Sequence, residues 1–264
     1  MVDTGTPKDQ KHLAKRNNVP YTDGTTFRLI AHLTAKLYSK SATSILAIEG
    51  SMTVGILGAG QLGSNLAKAL SLKNMPCVLA NRRGPASLTN LVAELGPSVT
   101  AGTALEAAHC DIVVLAMQWR DVPLAVEGLI EWEGRVVIDA TNPLIAIEPG
   151  SAEATDPKNP FGAFGFRLAD TGGRPSSVLV SEMMPGALLV KAFNHFAVEE
   201  LPQPVPFGKR VIFYSGDEPV SKAQVGALID QLGMAPVDLG SIGDGGRLAE
   251  APSGPLSFAT YVRL

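Results

Sequence analysis

The chain has 264 residues, of which 45% are hydrophobic and 18% charged, and its formal net charge is −3 at pH 7. This composition is typical of a globular protein with a sizeable core. The slight acidity argues against a nucleic-acid partner, the two cysteines form neither a disulfide framework nor a metal-ligand pattern, and no apolar run has the length of a membrane span. We therefore expect no metal, no membrane insertion and a reducing, cytoplasmic location.

Residues 1–51 differ in character from the rest of the chain. They carry more basic than acidic side chains, and their first half is polar without clear periodicity. We interpret them as a disordered or loosely attached N-terminal extension, with an organellar transit peptide as an alternative that the scarcity of arginine disfavours. Met52 stands directly before the first predicted strand and is an alternative start of the protein.

The first strong pattern is a strand, a glycine turn and a helix. Residues 52–57 are apolar and predict a buried strand, and residues 62–72 predict an amphipathic helix. Between them, the GxGxxG pattern is a dinucleotide fingerprint whose glycines allow a tight turn, close approach to a pyrophosphate and close helix–strand packing. The helix N-terminus adds free N–H groups. We expect cofactor contacts from Gly58, Gly60, Gln61, Leu62 and Gly63.

A second predicted strand, residues 76–80, ends in a basic turn that contains Asn81, Arg82 and Arg83. An NAD site usually places a carboxylate here for the ribose 2′-hydroxyl, whereas two guanidinium groups suit a 2′-phosphate. We therefore predict that these three residues bind the adenosine ribose phosphate of NADP(H). The alternative interpretation is a solvated basic turn.

Strands and helices continue to alternate down the chain. Further helices are predicted at 87–95, 105–108 and 121–129, and further strands at 98–101, 111–116 and 135–139. A wholly apolar fourth strand is typical of a parallel sheet that is covered on both faces. The alternation implies right-handed crossovers, and the fold class we predict is α/β, a Rossmann-type doubly wound parallel sheet with a small C-terminal α/β subdomain.

The alternation breaks at residues 143–177, which are rich in Gly, Pro, Asp and Ser and predict a long loop or lid. After it come a helix at 177–184, strands at 188–193, 211–215 and 236–239, and a helix at 219–232. The predicted domains are the N-terminal extension (1–51), an NADP-binding Rossmann domain (52–145), a lid with a connecting helix (146–187) and a small C-terminal domain (188–264).

Three loops follow strands of the predicted sheet at its carboxyl edge, where ligands bind in open α/β sheets. Met117 and Trp119 are expected to wall a nicotinamide pocket, or, for the tryptophan, to pack against the next helix. Asn142 either holds the carboxamide or fixes the turn at the next proline. Asn194 either binds the nicotinamide or ties two domains together. His195 is a candidate proton donor, with a hydrogen-bonded loop residue as the alternative.

Two charged residues near these loops are expected to have structural roles. Asp139 ends a predicted strand and is expected to cap backbone N–H groups. Lys191 lies within an apolar run, and we expect its amine to point outward or to snorkel to the surface.

Over about residues 52–264 the chain resembles the family of NADPH-dependent coenzyme F420 reductases. The blocks that carry the resemblance are Gly58-Ala59-Gly60-Gln61-Leu62-Gly63, Asn81-Arg82-Arg83-Gly84-Pro85, Ala116-Met117-Gln118-Trp119, Ile138-Asp139-Ala140-Thr141-Asn142-Pro143, Val190-Lys191-Ala192-Phe193-Asn194, Gly246-Arg247-Leu248 and Gly254-Pro255-Leu256. The resemblance implies hydride transfer between NADPH and a deazaflavin (F420) or flavin, a small C-terminal domain and a homodimer. Two features depart from it: Arg82 replaces a small hydroxyl residue, and the 143–177 stretch is long.

We thus expect an NADP(H)-dependent oxidoreductase whose partner is a small-molecule redox acceptor. Hydride transfer to a flavin-like ring needs stacking and orientation more than it needs an acid or a base. Two alternatives stay open. An NADPH reductase of a small carbonyl or imine would need a proton donor, and a non-catalytic NADP(H)-sensing regulator would need no chemistry at all.

Overall fold

The computed structural model describes residues 52–264, and the predictions made for residues 1–51 lie outside the described residues. The first half of the described chain contains β1 (Val54–Leu57), α1 (Gln61–Ser71), β2 (Cys77–Ala80), α2 (Thr89–Leu95), β3 (Val99–Ala101), α3 (Ala104–Ala108), β4 (Ile112–Leu115), α4 (Val122–Val126) and β5 (Val136–Asp139). The second half contains β6 (Leu144–Ala146), α5 (Ala152–Thr155), β7 (Phe166–Leu168), α6 (Ser176–Met183), β8 (Leu188–Ala192), β9 (Lys209–Gly216), α7 (Pro219–Gln231), β10 (Ala235–Asp238), α8 (Asp244–Ala249) and β11 (Val262–Arg263).

The main sheet has the strand order β3-β2-β1-β4-β5-β8-β9-β10, and β11 also pairs with β9. The strands from β3 to β8 are parallel, β9 is antiparallel to β8, and β10 is parallel to β9. The order in which strands are added to the sheet reverses between β1 and β4. Strands β2 and β3 are added on one side of this point, and β4, β5 and β8 on the other. The predicted Rossmann-type α/β fold is confirmed, and this reversal is its topological switch point.

The core lies on both faces of the sheet. Every residue of β1, β4 and β5 is buried, which explains why their sequences are apolar apart from Asp139 at the end of β5. Leu66 and Leu70 of α1 pack in the apolar cluster on one face. Val122 of α4 and Val180 of α6 pack in the cluster on the other face. Helices on both faces therefore fix the carboxyl ends of the central strands.

Some helices differ from the pattern that their sequences predict. The predicted helix at 121–129 is only α4, because Glu127 is extended and Gly128 has a φ of +65°. The predicted helix at 87–95 is divided into a 3₁₀ turn, Pro85–Leu88, and α2. The C-terminal tail, for which the sequence predicts no element, contains α8 and β11.

The long stretch between β5 and α6, which we call the lid segment (residues 143–175), is folded. Strands β6 and β7 pair as an antiparallel ribbon that joins Leu144 to Leu168. The short helix α5 begins where the Ser151 hydroxyl accepts the Ala154 N–H. Strand β6 packs beside a 3₁₀ turn, Trp119–Asp121, which follows β4. The lid segment therefore lies at the carboxyl edge of the sheet.

Strands β8, β9 and β10 extend the same sheet as β1 to β5. The predicted division into a Rossmann domain (52–145), a lid region (146–187) and a C-terminal domain (188–264) stays a prediction. Among the described residues, no helix combines the length and apolar character that crossing a membrane requires.

Candidate functional site

The turn between β1 and α1 and the first turn of α1 each require one glycine. Gly58 has a φ of +118°, and a Cβ there would lie 2.2 Å from the Ala116 carbonyl oxygen. A Cβ at Gly63 would lie 1.8 Å from the Gly58 carbonyl oxygen. Gly60 is different, because a Cβ there would meet nothing within 4 Å. Gly58 and Gly63 serve the fold, whereas Gly60 borders open space.

The N-terminus of α1 faces this space without a side-chain cap. Gly60 occupies the N-cap position, and the first turn holds no acidic residue. The Gln61 side chain donates to Glu199, and Leu62 packs against the core. The first-turn N–H groups and the positive end of the helix dipole thus suit an anion such as a pyrophosphate.

The basic turn after β2 closes on the side chain of Asn81. Its Oδ1 accepts the Arg83 N–H at 2.9 Å and the Ser87 hydroxyl at 3.2 Å. The side chains of Arg82 and Arg83 are exposed, and neither forms an ion pair with any of residues 52–264. The turn therefore presents two guanidinium groups, which fits the 2′-phosphate of NADP(H).

Ser87 was missed by the sequence reasoning, which looked for a hydroxyl within the turn itself and found Arg82. The 3₁₀ turn Pro85–Leu88 folds back and brings the Ser87 hydroxyl to within 3.0 Å of the Asn81 amide nitrogen. The proline that starts this turn, three residues after Arg82, is the signal that could have located it.

Met117 and Trp119 lie after β4, half-buried, and both pack against the core cluster that includes Val122. Trp119 is the first residue of the 3₁₀ turn that lies beside β6 of the lid segment. Its indole Nε1 is buried and has no hydrogen-bond partner within the described part of the chain. The tryptophan thus packs as one alternative predicted, yet it retains an unused donor at the sheet edge.

Asn142 and Asn194 are hydrogen-bonded to each other. Asn142 Oδ1 accepts the Ala251 N–H at 2.9 Å and the Asn194 amide at 3.1 Å, while its own amide donates to the Asn194 carbonyl at 2.8 Å. Since a backbone N–H can only donate, the orientation of Asn142 is fixed, and that of Asn194 follows from it. Asn194 also donates to the Ala249 carbonyl at 3.1 Å. The pair ties the loops after β5 and β8 to the end of α8.

One polar atom of the Asn142–Asn194 pair has no hydrogen-bond partner in the part of the chain that the structure describes. Asn194 is buried, and its Oδ1 accepts no hydrogen bond from any described residue. An unsatisfied buried acceptor costs about 1–3 kcal/mol, which a donor on a ligand would offset. This acceptor suits an amide N–H group.

His195 follows β8 but lies in an aromatic environment. Only 1% of the residue is exposed, and its ring is 5.0 Å from those of Phe196 and Phe213. Burial lowers the pKa of His195 to about 4, although a hydrogen bond with the Val211 backbone acts in the opposite direction. The imidazole is therefore neutral at pH 7, which favours a structural role. Its predicted role in proton transfer stays a prediction that this environment does not support.

The expectation for Lys191 was wrong, because its amine points inward. The residue is 1% exposed, and its Nζ donates to Asp139 Oδ2 at 3.0 Å. Burial alone would raise the pKa of Asp139, but the Lys191 charge and hydrogen bonds from Ser177 and Thr141 hold that pKa below its usual value. Asp139 also accepts the Thr141 N–H, which confirms its predicted capping role. A lysine in an apolar strand beside a strand that ends in aspartate is the sequence signal for this pair.

Comparisons with known proteins agree with the geometry. The family model described as "NADP oxidoreductase coenzyme F420-dependent" matches residues 53–143. The chain is 35% identical to hypothetical protein SMa0349 from Sinorhizobium meliloti, with a TM-score of 0.71 over 83% of this chain and 99% of that one. A proposed F420-dependent NADP reductase from Arthrobacter sp. FB24 is 22% identical, with a TM-score of 0.58 over 73% of this chain and 85% of that one, and it shows the fold alone.

Proposed function

The chain belongs to the family of coenzyme F420-dependent NADP oxidoreductases, and from this premise we propose that it transfers hydride between NADPH and a deazaflavin (F420) or flavin acceptor. The observation that carries the proposal is the β1–α1 turn. Open space beside Gly60 meets an uncapped helix N-terminus, and two exposed guanidinium groups follow the neighbouring strand.

The residues divide into two groups along the carboxyl edge. In the proposal, the first-turn N–H groups of α1 hold the pyrophosphate, and Arg82 and Arg83 hold the 2′-phosphate. Hydrogen bonds to charged groups contribute about 1.5–3 kcal/mol each, less at the exposed Arg82 and Arg83 because solvent screens them, so this end supplies a large part of the cofactor affinity. Asn81 keeps the basic turn closed around its own Oδ1.

The second group surrounds the reacting end. Bound NADPH supplies the hydride, and the protein supplies orientation and exclusion of water. Met117 and Trp119 form an apolar wall, the unused Oδ1 of Asn194 accepts the carboxamide N–H, and Asn142 holds Asn194 in place. The unused Trp119 Nε1 is a donor for a carbonyl oxygen on the acceptor ring.

The environment of His195 bears on the alternatives. Reduction of a small carbonyl or imine needs a proton donor, and a buried imidazole with a pKa of about 4 is a poor one at pH 7. Hydride transfer to a deazaflavin or flavin ring, which needs stacking and orientation, is therefore favoured over reduction of a small carbonyl or imine. A non-catalytic NADP(H) sensor differs only in showing no turnover.

The test offers F420, FMN, riboflavin and a set of small ketones with and without an amine to the purified protein. Consumption of NADPH is followed by its absorbance, and NADPH binding is measured separately by calorimetry. We expect turnover with F420 or a flavin. Turnover with ketones or imines alone, abolished in His195→Leu, would instead establish the small-substrate reductase, and tight NADPH binding with no turnover would establish the sensor.

A further inference from the structure

Both ends of the lid segment meet at one buried ion pair. Asp139 ends β5 and Lys191 lies directly opposite it in β8, so the two residues occupy one register position of a parallel pair. Asp139 is 0% and Lys191 1% exposed, and their Oδ2 and Nζ atoms are 3.0 Å apart. A buried charge pair of this kind needs further hydrogen bonds, and the lid segment's ends provide them.

The N-terminal end of the lid segment is held through Thr141. Asp139 Oδ1 accepts the Thr141 N–H at 2.9 Å and its hydroxyl at 2.6 Å. Lys191 Nζ donates to the Thr141 carbonyl at 2.6 Å. Thr141 is thus bound by both members of the ion pair, two residues before the lid segment begins.

The C-terminal end is held through the first two residues of α6. Lys191 Nζ donates to the Ser176 hydroxyl at 3.2 Å, and the Ser177 hydroxyl donates to Asp139 Oδ2. Each member of the ion pair therefore contacts each end of the lid segment.

The same unit reaches the paired asparagines. The Ser176 N–H and hydroxyl both donate to the Glu250 carboxylate, and the next residue, Ala251, donates its N–H to Asn142. The ion pair, the ends of the lid segment and the Asn142–Asn194 pair are one continuous hydrogen-bonded unit.

Beyond these attachments, the lid segment is held by contacts of β6 with the turn after β4 and by surface contacts of Gly173 and Arg174 near its C-terminal end. Its strands β6 and β7 have three residues each and its helix α5 has four. Phe164 is 74% exposed and Leu168 is 41% exposed. An isolated two-stranded ribbon and a one-turn helix are marginal in water, so the attachment of the ends determines where the segment lies.

We propose that the Lys191–Asp139 ion pair anchors both ends of the lid segment and that Lys191 is a positioning residue for the acceptor end of the site. The kinetic part of this proposal rests on the proposed function. The anchor joins β5 to β8 near their carboxyl ends, whereas the elements proposed to bind the phosphates follow β1 and β2 on the other side of the switch point. Loss of the anchor thus impairs use of the acceptor, whereas NADPH keeps its phosphate contacts and the Asn142–Asn194 pair keeps its own hydrogen bonds, so NADPH affinity changes little.

The test releases one end without unbalancing the ion pair. The double variant Ser176→Ala/Ser177→Ala removes both hydroxyls at the C-terminal end. The control is Ser181→Ala in the same helix, whose hydroxyl donates to the Val178 carbonyl and takes no part in the unit. Trypsin cleavage is mapped by mass spectrometry at Lys158 and Arg167 in the lid segment and at Lys68 and Lys222 outside it.

We expect the double variant to be cleaved about tenfold faster at Lys158 and Arg167 through local opening of the segment. The Lys68 and Lys222 sites and the control variant should keep their wild-type rates. The NADPH Kd should change less than about twofold, while the KM for the acceptor that the wild type uses should rise about fivefold or more.

Equal cleavage rates in the double variant and the control would overturn the anchor. A rate increase at Lys68 and Lys222 as large as that at Lys158 and Arg167 would also overturn it, because that pattern indicates global destabilisation. An unchanged acceptor KM with faster lid cleavage would overturn the positioning role. If the wild type reduces no acceptor, the proposed function fails, and the cleavage pattern still decides the anchor.

Discussion

The side chains proposed to bind the phosphates can be tested separately from those at the reacting end, and the basic turn that contains Arg82 and Arg83 allows the more specific test. Changing both Arg82→Ala and Arg83→Ala should weaken NADPH by about tenfold or more, since charge-assisted hydrogen bonds to the 2′-phosphate would be lost, with some discount for solvent exposure. NADH lacks this phosphate and should bind almost as before. Isothermal titration of both nucleotides measures the difference.

The matched control for the basic turn is Arg263→Ala, an exposed arginine on β11 in a different part of the sheet. It should leave both affinities unchanged. An equal loss of NADPH and NADH affinity in the double variant would contradict the assignment of NADP(H) to this turn.

Individual residues also show which features of the site could be predicted from the sequence. Gly63 was predictable because its close contact is with the Gly58 carbonyl, five residues away, and Gly58 because its positive φ belongs to the local turn. The pairing of Asn142 with Asn194 joins positions far apart in sequence, so each residue could be placed at the carboxyl edge but not against the other. Lys191 was misplaced for the same reason, because its acceptors come from segments that only the folded sheet brings together.

At the scale of elements, two glycines at the β1–α1 junction have different roles: Gly63 is required by the fold, and Gly60 borders the open space proposed to receive the cofactor. Gly63→Ala should destabilise the protein by several kcal/mol, because its Cβ would lie 1.8 Å from a backbone oxygen that cannot move away. Gly60→Ala should unfold like the wild type, since Gly60 has a φ of −78° and open space around it.

The two variants are compared by urea unfolding and by NADPH titration. Gly60→Ala should still lose NADPH affinity, because the added methyl group would stand where the pyrophosphate approaches the backbone. Wild-type affinity in a stably folded Gly60→Ala would show that this space does not receive the cofactor.

Elements of the central sheet were predictable from sequence, whereas those of the lid segment were not. Strands such as β4 are wholly buried and therefore wholly apolar. Strands β6 and β7 have three residues each, without a buried face, so they leave no periodic signal. The predicted helix 87–95 is divided at Leu88, whose φ of −103° and ψ of −2° separate the 3₁₀ turn from α2.

At the scale of the whole molecule, the strand order brings the predicted residues to one edge. The loops after β1, β4, β5 and β8 lie side by side around the switch point, although they come from four separate parts of the chain. The homodimer and the cytoplasmic location that the sequence suggests remain proposals, since neither follows from this arrangement.

Stability of the whole molecule should depend on pH through the buried His195. Its pKa is about 4 in the folded protein, against about 6.5 for an exposed imidazole. Below pH 6.5 the unfolded chain binds a proton that the folded chain does not, so the free energy of unfolding decreases as the pH falls towards 4. The full difference amounts to about 3 kcal/mol.

The variant His195→Leu removes this titration, whatever its effect on stability at pH 7. Urea unfolding of wild type and variant at several pH values between 6.5 and 4.5 should give a shallower decline for the variant. Carboxyl groups with lowered pKa values in the folded protein, such as Asp139 and Glu200, also reduce stability as the pH approaches their ordinary values of 3.8 and 4.5, but they do so equally in wild type and variant. Parallel declines would mean that the imidazole can be protonated in the folded protein, and the small-substrate reductase would then regain its proton donor.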